Sequence, residues 1–167
     1  MARRLLLFLL PALLLCGCAG YRLGTGSALP FHTLYIEPLS SESGLPQARA
    51  VLTARIREDF LRDGRVTLVN SPSQAEAILA ITLKSYTREA TVSREEDTGL
   101  ARKFSLRLGA ECTLSLGDGK VLFSRRPLEA HRENYVDSGQ LQSEYEMVPL
   151  LAEKLSALIT HAVLDTW

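Results

Sequence analysis

The sequence predicts an α+β fold: a two-layer sandwich with a mixed or antiparallel sheet of about four to five strands and two amphipathic helices on one face. Three observations carry this. Residues 46–63 and 141–165 repeat apolar side chains every three to four positions, the period of a helix with one buried stripe. Residues 77–92 and 100–116 alternate apolar and polar, the period of a strand with one buried face. Turn residues separate the strand-like runs, above all Gly117-Asp118-Gly119.

The elements follow in order. Residues 33–39 are β-prone, with Leu34 and Ile36 on one face and Pro38 closing the run; residues 40–44 form a loop of turn residues. Pro46 suits a first helical turn, and Gly64 suits the position just past a helix end. Between them Val51, Leu52, Ile56, Phe60 and, less centrally, Ala48 form the stripe. Residues 66–69 are a short strand and residues 70–73 a turn. In residues 77–92, Leu79, Ile81 and Leu83 point one way, and Thr82, Lys84, Tyr86 and Arg88 the other. A charged connection at 94–98 ends at Gly99. Phe104, Leu106, Leu108, Ala110, Cys112, Leu114 and Leu116 form the next apolar face. Residues 120–135 return as a strand with Pro127 at a bulge or an edge. Ser138 and Gly139 mark a break, and Leu151, Leu155, Leu158, Ile159 and Val163 form the last stripe, with Pro149 kinking that helix or starting its main segment. The order is β-α-β-β-β-β-α. Stacking the two helices on the apolar sheet face closes a core and leaves the other face polar and open.

The N-terminus is of a different kind. Arg3 and Arg4 precede an apolar run, residues 5–15, broken only by Pro11. It is roughly a dozen residues, short of the ~20 that span a bilayer as a helix. Basic residues before and small residues after make it a secretory signal. Leu15-Cys16-Gly17-Cys18 fits the lipobox of bacterial lipoproteins, in which the final cysteine thiol takes a diacylglyceryl group. Cys18 is therefore the expected lipidation site and mature N-terminus. Acyl chains contribute about 0.8 kcal/mol per buried methylene, so a multiply acylated cysteine anchors stably. Ala19, in place of Asp, favours the outer membrane. The domain boundaries are then 1–17 (signal peptide), 18–31 (lipidated cysteine and tether) and 32–167 (one α+β domain).

Cleavage before Cys18 removes 17 of the 167 residues, leaving 150, one domain by size. The removed segment carries two of the 19 basic residues and none of the 19 acidic ones, so the mature chain is net −2, against a nucleic-acid binder. With Cys18 acylated, Cys112 has no partner for an internal disulfide, and its apolar register predicts a buried, inert thiol. His32, His131 and His161 lack metal-ligand spacing. Gly24-Thr25-Gly26 lacks the strand and helix of a phosphate loop, and there is no Gly-x-Ser-x-Gly. The expectation is a protein that is not an enzyme and carries no cofactor beyond its covalent lipid.

One pattern points to binding. Lys84, Arg88, Lys103 and Arg107 fall on the polar registers of adjacent strands, with Arg125 and Arg126 on the next. Such a cluster suits phosphate groups. The alternative is an ordinary solvated face, with Glu89, Glu111 and Glu129 balancing the charge.

The mature start, Cys18-Ala19-Gly20-Tyr21-Arg22-Leu23-Gly24, resembles that of the LptE family of lipopolysaccharide-assembly lipoproteins, with Ala19 an extra residue before the Gly. Ile36-Glu37-Pro38-Leu39, Val66-Thr67-Leu68-Val69, Gln74-Ala75-Glu76-Ala77-Ile78-Leu79 and the Gly117-Asp118-Gly119 turn are compatible with it at pattern level. The resemblance implies a non-catalytic outer-membrane lipoprotein on the periplasmic side. It implies a plug for the LptD β-barrel that assists barrel assembly and contacts lipopolysaccharide, for which Lys84, Arg88, Lys103 and Arg107 are the candidates. The competing expectation is an interaction lipoprotein of another envelope machine, such as a peptidoglycan-synthase activator or a transporter auxiliary subunit.

Overall fold

The computed structural model describes residues 29–93, 101–135 and 144–165. The signal segment, Cys18, most of the tether, the 94–98 connection, the Ser138-Gly139 break and the expected start of the last helix fall outside these residues. The architecture is the expected α+β sandwich, with one more strand. In chain order the elements are β1 (Thr33–Ile36), β2 (Ser40–Ser41), α1 (Pro46–Asp63), β3 (Thr67–Val69), β4 (Ala77–Ser93), β5 (Ala101–Leu116), β6 (Val121–Tyr135) and α2 (Glu144–Leu164). A single 3-10 turn, Pro72–Gln74, precedes β4.

The sheet is mixed. Its order is β3-β1-β4-β5-β6, with β2 also on β4. β1 runs parallel to both β3 and β4, and the three long strands are antiparallel. Residues 40–41 are a strand rather than the expected loop. After Pro38 the chain returns to the same side of β4, where Ser40 pairs with Thr82 and Ser41 with Leu83. The Ser40 and Thr82 hydroxyls lie 2.8 Å apart, and the Glu42 N–H donates to the Leu83 carbonyl. Two serines carry no apolar alternation, so pairing along β4 makes this strand rather than burial.

α1 begins at Pro46, whose missing N–H falls where a helix has no acceptor to offer. It ends at Gly64, in the left-handed conformation (φ 74°), whose N–H returns to the Phe60 carbonyl. Ala48, Leu52, Ile56 and Phe60 are all fully buried, while Val51 is only partly so. Each large side chain among them contributes about 1.5–3 kcal/mol by leaving water. In α2, Leu151, Leu155, Ile159 and Val163 are buried and Pro149 is inside the helix. Leu158, expected in that stripe, is 37% exposed: it lies to one side of the contact line. Residues 146–164 are long and apolar enough to match a membrane span, but 56% of that window is buried inside the fold. This is a core helix.

One hydrophobic cluster links both helices to β1, β4, β5 and β6. Its first fully buried residue is Phe31, with partly buried Leu29 packed against it, so the core extends into the segment assigned to the tether. Ser156, the buried polar residue of α2, donates to the Asp59 carboxylate and ties the helices together. The C-terminal ends are tied by Arg65, which donates to Asp63, to Asp165 at 2.6 Å and to the Leu164 carbonyl. A 17-residue strand is about 55 Å long and a 21-residue helix about 31 Å, so the long strands outrun the helix that covers them.

Candidate interaction faces

The sheet presents two surfaces: the open face, and the end of the helix-covered face beyond the helices. A β-bulge in β4 decides which residues belong to which. Leu83 pairs with Ala110, but Tyr86 pairs with Leu108 and Arg88 with Leu106. Ala110, Leu108 and Leu106 all point into the core, so the register must absorb one residue between Leu83 and Tyr86. Lys84 is that extra residue, and Ser85 lies opposite Gly109. A Cβ on Gly109 would come 2.6 Å from the Ser85 hydroxyl, so its absence leaves room for the bulge.

The bulge corrects the expected basic patch. Before it, Thr82 and Lys84 are on the open face as read from the sequence. After it, Tyr86 and Arg88 are on the helix side. Arg88 lies over the Phe104 ring, 4.3 Å from its centroid, a cation–π arrangement at the edge of the core. Arg126 makes the same change of side: it pairs with Cys112 and lies over Phe123, 5.5 Å from the centroid. Lys84, Arg88, Lys103 and Arg107 therefore do not form one patch. Lys84 and Arg107 share the open face. Lys103 is four residues before Arg107 on β5, opposite Tyr135; its side chain lies outside the described residues.

The open face is also charge-balanced. The Lys84 ammonium donates to the Glu42 carboxylate at 2.6 Å, which holds its pKa above the usual lysine value, with Glu111 adding to the effect and Arg125 opposing it. Arg107 is 3.6 Å from Glu129. By strand register Glu89, Glu111, Glu129 and Glu133 lie on this face too. The glutamates foreseen as compensation are in place. Glu42 was missed, because only the unforeseen strand β2 brings it beside Lys84.

No catalytic set is assembled among the described residues. A cleft of about 370 Å³ between the C-terminal halves of the helices is lined by Asp59, Asp63, Asp165 and His161, among others. Its three aspartates already accept bonds from Ser156 and Arg65, so none is poised as a free base. Burial pushes the Cys112 thiol up to about 12, far from a reactive thiolate. Among the described residues no group of three or more His, Cys, Asp or Glu could hold a metal ion.

Several solved structures share this fold. It is similar to lipoprotein B from Nitrosomonas europaea, with TM-score 0.60 and 21% identity over 87% of this chain and 96% of that one. It is similar to the hypothetical protein CT253 of Chlamydia trachomatis, with TM-score 0.57 and 12% identity over 79% and 95%. A minor lipoprotein of Acinetobacter baumannii matches with TM-score 0.52 and 17% identity over 81% and 92%. At such identities the likeness shows the fold. No curated protein matches the sequence. The family is shown directly: the LptE lipopolysaccharide-assembly model matches residues 31–162, and the chain belongs to that family.

The resemblance at the mature N-terminus therefore led to the right family, although the match itself begins at Phe31, beyond those residues. It is a lipoprotein family of the bacterial envelope with a role in lipopolysaccharide assembly, and a non-enzymatic one.

Proposed function

We propose that this chain is an outer-membrane lipoprotein, anchored through Cys18 on the periplasmic side, that plugs an LptD-like β-barrel, assists its assembly and supports delivery of lipopolysaccharide to the outer leaflet. The family match over residues 31–162 carries this reading. The physical form supports it. A barrel lumen is polar, and a plug for it needs a closed core of its own with polar outer surfaces. This domain has one contiguous core and an open sheet face of interleaved charge.

Contact between lipopolysaccharide and Lys84, Lys103 and Arg107, or separately Arg88, is part of the proposal. Changing Lys84, Arg88 and Arg107 to Glu should weaken binding to purified lipopolysaccharide, and binding by the parent should fall steeply with salt. Unchanged binding removes these residues from the role. The partner is tested by affinity purification of the lipidated chain from native membranes. Recovery of a large outer-membrane β-barrel is expected; recovery of a peptidoglycan synthase or an ABC-type transporter in its place contradicts the reading.

A further inference from the structure

Among the described residues Arg125 is the only non-glycine with positive φ, at 47°. The others with positive φ, Gly44, Gly64 and Gly119, have no Cβ to clash with the following carbonyl. Arg125 sits in β6 where the register with β5 shifts between Cys112 and Leu114, and its N–H donates to the Thr113 hydroxyl at 3.1 Å. Glycine would make this bulge with less strain. A strained residue kept at such a position points to a use for its side chain.

Protecting the sheet edge does not supply that use. β6 is an edge strand, but Pro127 already lacks a donor there and the Lys154 ammonium already occupies the His131 carbonyl. Among the described residues the guanidinium has no intramolecular role either. Arg125 is exposed and has no hydrogen bond from its side chain and no ion pair among the described residues, whereas Lys84 holds Glu42 and Arg107 holds Glu129. Its charge is close enough to oppose protonation of Lys84, which places it at the open face.

We infer that Arg125 is an anchor for a protein partner, its guanidinium taking a carboxylate on the inner wall of the β-barrel; this rests on the barrel partnership proposed above. The surroundings select the occupant. The open face interleaves Lys84, Arg107 and Arg125 with Glu42, Glu111 and Glu129, a pattern that complements a protein wall of mixed charge. The left-handed backbone, held by Thr113, fixes the base of a long side chain and reduces the ordering it must undergo on binding.

The test co-expresses the full lipidated chain with its barrel, purifies through a tag on the chain in detergent, and compares the parent with Arg125→Gly and Arg125→Lys. Arg125→Gly should melt at the same temperature or higher, because glycine accepts the backbone, yet recover at least about five-fold less barrel. Arg125→Lys should retain most of it. Parental recovery by Arg125→Gly overturns the inference and leaves the barrel partnership standing. Failure of the parent itself to recover the barrel overturns the partnership and the inference with it. Normal barrel recovery with weakened binding to lipopolysaccharide micelles assigns Arg125 to phosphate, which also overturns it. A lower melting temperature for Arg125→Gly shows that the fold itself uses the side chain, and is equally fatal.

Discussion

The Arg88 guanidinium lies 4.3 Å from the centroid of the Phe104 ring, on the side of the sheet that the helices cover. It marks where the core runs out of helix and an arginine stem takes over as the lid. Arg88→Ala should therefore destabilise the domain by about 0.5–1 kcal/mol through lost stacking and packing. A double-mutant cycle with Phe104→Leu, read by urea denaturation, should give a coupling of that order. Additive effects would separate the two residues.

The two glycines of β5 and its turn should respond differently to alanine. At Gly109 the new Cβ meets the Ser85 hydroxyl, which can rotate away; at Gly117 it meets the Ala75 backbone carbonyl at 2.9 Å, which cannot. Gly117→Ala should cost about 1–3 kcal/mol and Gly109→Ala less. Ser85→Ala should recover the loss at Gly109, and thermal melts of the three variants and the double change check this.

Cys112 should resist iodoacetamide at pH 8 in the folded protein and react once urea unfolds it. Burial keeps the thiol protonated and inaccessible. Rapid labelling under native conditions would contradict its place in the core.

Arg65 sets an acid limit on stability. Its hydrogen bonds hold the Asp63 carboxyl below the usual aspartate value. A carboxyl depressed by folding contributes stability above its unfolded pKa of 3.8, and the contribution is lost as pH falls through the lower folded value. Arg65→Ala should cost about 1 kcal/mol at neutral pH and less once the pH has fallen below the depressed Asp63 value, because the parent has by then lost its bond to that carboxylate. Urea titrations at the two pH values measure the difference.

The sequence patterns foresaw the layers, the helix bounds 46–63 and the Gly117-Asp118-Gly119 hairpin because each has a local cause. Pro46 and Gly64 punctuate α1. Asp118 accepts the Lys120 N–H inside the turn, and Gly119 takes φ 89°. What escaped was set by partners distant in sequence. The bulge at Lys84 depends on Gly109, 25 residues away, and nothing in Leu-Lys-Ser-Tyr itself marks it. One absorbed residue moved Arg88 to the other face and divided the expected basic patch. Strand β2 exists only because β4 offers it an edge, and Glu42 reaches Lys84 through it. The positive φ at Arg125 has no local signature, since neither neighbour is glycine.

Depletion in the living cell tests the central claim most directly. The chain is lowered in its own bacterium while lipopolysaccharide at the cell surface and folded barrel in the outer membrane are measured together. Membership of the lipopolysaccharide-assembly family and the plug reading predict that both fall as the lipoprotein disappears. Normal surface lipopolysaccharide and normal folded barrel after depletion would contradict that role.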